Sequence, residues 1–74
     1  MSPAVPSGLS GPAVAKALER GGFEHVTTRG SHATYRSGEQ TVIVPLHRSL
    51  APGTLRSILR QADWTVEDLE DHLK

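Results

Sequence analysis

Residues 30 to 36 read Gly-Ser-His-Ala-Thr-Tyr-Arg, with Arg29 immediately before them. Imidazole is the usual protein acid–base group near neutral pH. Here one follows Gly30 and Ser31, which let a substrate come close to the backbone. It is flanked by Arg29 and Arg36, whose guanidinium groups suit phosphate oxygens. On residue types alone His32 has four readings: structural filler, metal ligand, nucleic-acid contact or catalytic base. A serine triad is a poor fit, because Ser31 adjoins His32 in the chain and no evident acid completes the arrangement.

His25, His47 and His72 complete the histidine set. No pair among the four has a recognisable metal-ligand spacing, and the chain has no cysteine, so neither a metal nor a cofactor is expected. The missing cysteines also exclude disulfides. His72 lies near the C-terminus of an acidic segment, where it interacts favourably with a helix dipole.

The elements that must carry His32 follow from patterning. "MSPAVPSGLSGP" is rich in Pro, Gly and Ser and reads as a mobile tail over residues 1–11, before a single domain over 12–74. A helix is predicted from Pro12, capped by Ser10 or Gly11, with Val14, Ala17 and Leu18 on one face and Gly21-Gly22 as its stop. "FEHVTTR" (23–29) and "HATYR" (32–36) read as strands joined at Gly30-Ser31. Ala33 and Tyr35 then point one way, and His32, Thr34 and Arg36 the other. "SGE" turns into a third strand, "QTVIVP" (40–45), apolar on both faces. A second helix is predicted from Pro52, with the clearest amphipathic stripe in the chain at Leu55, Ile58, Leu59 and Ala62. "WTVEDLEDHLK" reads as a short third helix capped by Thr65, with Asp68 completing a capping-box variant.

Two amphipathic helices cover only one face of so small a sheet. If that face holds Ala33 and Tyr35, then His32, Thr34 and Arg36 lie on a face that is open or meets a partner. Charge is segregated along the chain. Residues 1–62 hold seven basic and three acidic residues, a net of +4, whereas residues 63–74 net −4, and the whole chain is formally neutral. A basic body is compatible with a polyanion, and equally with an ordinary solvated surface. No apolar run approaches the roughly 20 residues that span a bilayer, and no signal-peptide pattern is present, so a cytoplasmic protein is expected.

"GSHATYR", "VIVPLH" and "PGTLRSILRQA", in this order after a helix, resemble the HicA family of toxin ribonucleases, over about residues 10 to 62. These are the mRNA-cleaving halves of toxin–antitoxin pairs. The resemblance implies an α+β fold like the double-stranded-RNA-binding domain: α-β-β-β-α with a short extra C-terminal helix, the helices on one face of a three-stranded antiparallel sheet. It implies His32 as the catalytic residue and a HicB-type antitoxin as partner. His47, in the Val-Pro-x-His-like block, is either a second catalytic group or a loop residue that caps the next helix or touches the antitoxin. Arg29, Gly30, Ser31, Arg36 and Arg48 are the candidate RNA-binding residues. Two positions depart from the family pattern: Ala33 follows the motif histidine, and Asp63-Trp64 follow Gln61-Ala62. A non-catalytic RNA-binding module of the same fold, or a toxin whose activity has decayed, is the alternative.

Overall fold

The computed structural model describes residues 5–74. The chain runs α1 (Gly11–Arg20), β1 (Glu24–Arg29), β2 (His32–Ser37), β3 (Gln40–Pro45), α2 (Pro52–Ala62) and α3 (Val66–Leu73). The expected tail falls outside the described residues over 1–4. From Val5 onward the chain lies against the body: Val5 and Leu9 pack on the core, and the Leu9 carbonyl accepts the Leu50 N–H at 2.8 Å.

Each helix starts and stops where local chemistry directs it. The Ser10 hydroxyl accepts from the Ala13 N–H at 3.2 Å and so caps α1, with Pro12 in the first turn. Helix α2 begins at Pro52 and ends on Asp63 in the left-handed region (φ 58°). At α3 the Thr65 hydroxyl accepts the Asp68 N–H at 3.1 Å, and the Asp68 carboxylate accepts the Thr65 N–H at 2.8 Å. This is the reciprocal capping box expected from Thr-x-x-Asp.

The strands form one antiparallel sheet in the order β1-β2-β3. The first hairpin turns at Gly30, whose φ of 58° costs a side-chain-bearing residue free energy. Ala33 and Tyr35 of β2 and Val42 and Val44 of β3 are buried under the helices, together with Val14, Ala17 and Leu18 of α1 and Leu55, Ile58 and Leu59 of α2. Each large side chain removed from water here contributes about 1.5–3 kcal/mol. Burial, then the charge of Glu19, raises the Tyr35 phenol above its ordinary value, which keeps it neutral in the core. Strand β1 is exposed along its whole length, because α2 packs on β3 at the opposite edge of the sheet, and its register slips by a bulge between His25 and Thr27. The predicted strand start at Phe23 moves to Glu24, since Phe23 is buried and turns inward just before the sheet begins.

At the other edge, the Ile43 N–H of β3 donates to Gln61 Oε1 of α2 at 2.9 Å, and Gln61 Nε2 donates to Ser57 Oγ at 3.1 Å. A helix side chain thus satisfies an outward-facing strand amide. The third helix closes the far end. Leu69 is fully buried, and Trp64 packs edge-on to Phe23 (5.8 Å between ring centroids) and stacks on His72 (4.8 Å, 16° between planes).

Candidate active site

The face of the sheet that the helices leave open is ordered in rows by cross-strand pairing. Arg29 pairs with His32, which pairs with Pro45; Thr27 with Thr34 and Ile43; Glu24 with Arg36 and Thr41. Paired residues in antiparallel strands point the same way, with Cα atoms about 5 Å apart. Arg29 is therefore the cation nearest His32 in the sheet, across one strand pair at the start of the hairpin. Arg36 lies four residues along β2, about 13 Å away at the usual strand rise. It shares the face but not the immediate surroundings of His32. Ile43 is 48% exposed in the middle row, a large apolar side chain between threonine hydroxyls on a face that is otherwise mostly polar.

The loop after β3 brings the second histidine in. The rings of His32 and His47 lie 6.2 Å apart between centroids, inclined at 72°, and both side chains are exposed. Three main-chain hydrogen bonds, one to the hairpin turn and two to the segment at the start of α1, hold that loop. Leu46 N–H donates to the Ser31 carbonyl at 2.6 Å, Gly11 N–H donates to the His47 carbonyl at 2.8 Å, and Leu50 N–H donates to the Leu9 carbonyl at 2.8 Å. Ser31 therefore contributes its carbonyl to the tie between the hairpin turn and the His47 loop. Arg48 is exposed beside His47 in the same loop.

The expected residues divide into two groups. Arg29, Gly30, Ser31, His32, His47 and Arg48 converge on the end of the sheet where β2 begins and β3 finishes, whereas Arg36 stands toward the other end. The pattern did not reveal the backbone anchoring of the His47 loop by Leu9 and Gly11. Leu9 lies just before the first helix and Gly11 is its first residue, both in a stretch that reads compositionally as tail, and nothing in their types announces a contact with residues some forty positions on. The other histidines are engaged elsewhere. His25 Nε2 is paired with Thr28 Oγ1 at 2.7 Å, and His72 Nδ1 donates to the Asp68 carbonyl at 2.7 Å. Among the described residues, no three His, Asp or Glu side chains come together as a metal-binding group.

Layering and topology define a small α+β protein of the double-stranded-RNA-binding-domain-like class, with a histidine pair presented at one end of its uncovered sheet face. The family model described as the HicA toxin of bacterial toxin–antitoxin systems matches residues 11–64, which take in α1, the whole sheet, the His47 loop and α2. The chain belongs to the HicA toxin family. Among curated proteins none matches it. Among the described residues, no helix is long and apolar enough to cross a membrane.

Proposed function

We propose that this chain is an endoribonuclease that cleaves mRNA by helping the ribose 2′-OH attack the adjacent phosphate. The observation that carries the reading is the exposed His32–His47 pair, 6.2 Å between ring centroids, with Arg29 in the same row of the sheet. The 2′-OH is a poor nucleophile until a base takes its proton, and the phosphate oxygens gain negative charge as it attacks. His32 takes that proton. His47, or a water beside it, protonates the leaving 5′-oxygen. The products are a 2′,3′-cyclic phosphate and a 5′-OH end. Arg29 offsets charge on the scissile phosphate, while Arg48 and the more distant Arg36 hold neighbouring phosphates. Gly30 and Ser31 keep the approach to His32 free of bulk. No step requires a metal ion.

Family membership supports a toxin held in check by an antitoxin partner. A HicB-type antitoxin that covers the open sheet face would bury Ile43 and block His32 together, and the basic body offers it an electrostatic target. The setting is the cytoplasm, where mRNA is translated.

The test is cleavage of a defined RNA in EDTA by the purified chain and by His32→Ala. Wild type is expected to leave cyclic-phosphate ends and the variant to leave RNA intact, with both showing the same circular dichroism. Binding without cleavage by wild type would favour the non-catalytic RNA-binding module instead.

A further inference from the structure

We propose that Gly11 is a positioning residue that sets the separation of His32 and His47. The inference rests on the ribonuclease reading and extends it to a residue that has no side chain to offer substrate or imidazole.

Gly11 is buried at the first position of α1, and two features tie it to the site. Its N–H donates to the His47 carbonyl at 2.8 Å, which fixes the backbone that carries the second imidazole. Its missing side chain lets the helix start abut the end of β3. A Cβ at this position would lie 1.9 Å from the Pro45 carbonyl oxygen, 2.8 Å from the Pro45 carbonyl carbon and 2.7 Å from the Leu46 Cα. All three are backbone atoms, which cannot rotate away as a flexible side chain can. Any residue larger than glycine must push the Pro45–His47 segment off the helix.

That segment serves both halves of the site. Pro45 is the cross-strand partner of His32, Leu46 is bonded to the Ser31 carbonyl, and His47 follows directly. A displacement at Pro45 therefore changes where one imidazole lies relative to the other. It leaves Arg29 and Arg36 of the β1–β2 hairpin, two of the three cations assigned to the phosphates, in place, and Arg48 is an exposed, long side chain that can still reach a phosphate after a small backbone shift. Misplacing a reacting group by about 1 Å costs on the order of 100-fold in rate. Binding depends on diffuse charge and is far less sensitive to such a shift.

Gly11→Ala separates these quantities, with Ser10→Ala as control. The control removes the hydroxyl that caps the same helix start without adding atoms at position 11. For folded Gly11→Ala, kcat on RNA is expected to fall about 10- to 100-fold. Binding of an oligonucleotide blocked by 2′-deoxyribose should stay within about twofold of wild type. The ring resonances of His32 and His47 should shift while those of His25 and His72 stay put. Ser10→Ala should keep the wild-type kcat. Wild-type kcat in folded Gly11→Ala, or an equal loss in Ser10→Ala, would overturn the proposal.

Should Gly11→Ala fail to fold, an ester in place of the Ser10–Gly11 amide removes the N–H and adds no bulk, a change accessible by chemical synthesis of a 74-residue chain. It should lower kcat, and an unchanged kcat would overturn the assignment. If wild type cuts no RNA, the ribonuclease reading fails separately. The histidine resonances of Gly11→Ala, or of the ester, then decide the positioning claim: shifts confined to His32 and His47 sustain it, and unshifted rings refute it.

Discussion

At the C-terminal end of the molecule the His72 ring lies flat against Trp64, 4.8 Å away, and its Nδ1 is bonded to the Asp68 carbonyl one turn back. The adjoining backbone is engaged as well, because Arg20 of α1 donates to the His72 carbonyl at 3.0 Å. At the open end of the sheet, His32 and His47 face one another at 6.2 Å. There the hydrogen bonds run through main-chain atoms of Ser31, Leu46 and His47, and among the described residues neither imidazole nitrogen has a protein partner. Both ends hold a histidine beside another ring. One ring nitrogen and a ring face are engaged in the first, and the ring nitrogens are unbonded in the second, above a backbone tied to the hairpin turn and to the start of α1. A ring with a bonded nitrogen and a stacked face builds structure. A ring held from behind, with its nitrogens facing solvent, is equipped to exchange protons with a ligand.

That contrast breaks most sharply with the two histidines themselves. His32→Ala should reduce RNA cleavage by about 10²–10⁴-fold while leaving urea unfolding unchanged, because the side chain is exposed and unbonded. His72→Ala should leave cleavage per folded molecule unchanged and lower the unfolding midpoint. The reverse pattern would show that the roles of the two regions have been exchanged.

Trp64→Ala carries the same comparison to its largest structural effect. The indole is wedged between Phe23, His72 and the helix stop, where a Cβ on Gly21 would already overlap the ring. Its loss should cost about 3 kcal/mol, measured by chemical denaturation, with kcat of the folded fraction intact. Removing the α3 cap by Thr65→Ala is a smaller perturbation, about 1 kcal/mol on the same assay.

The smallest effect is a pH dependence. The Thr65 backbone N–H, followed by the Thr65 side chain, holds the Asp68 carboxyl below its ordinary value. A carboxyl with a lowered folded-state pKa contributes stability above its unfolded value, and the contribution is lost as pH falls through the folded value. The unfolding midpoint of wild type should therefore decline on the acid side, and Asp68→Asn should flatten that decline. The variant with an undiminished acid slope would locate the dependence in another carboxyl.

The strong local signals in this chain concern the elements. Pro12 and Pro52 at helix starts, Thr65 with Asp68, and the alternation of Ala33 and Tyr35 against His32, Thr34 and Arg36 depend on neighbours within four residues, so they were legible without coordinates. The same alternation, with two apolar helix faces to be covered, placed His32 on the open side of the sheet. The three motif blocks carried the family resemblance.

Relations between distant segments were decided only by packing. No periodicity shows that His47 lies beside His32, that Arg29 is nearer to His32 than Arg36 is, or that Gly11 holds the loop between them. Local propensity depends on contacts that the chain cannot avoid making with itself over a few residues. The geometry of the candidate site depends on backbone bonds across gaps of 15 to 41 residues, such as Leu46 to Ser31, Gly11 to His47 and Leu50 to Leu9. Those bonds exist only once the helices have closed over one face of the sheet and left the other bare.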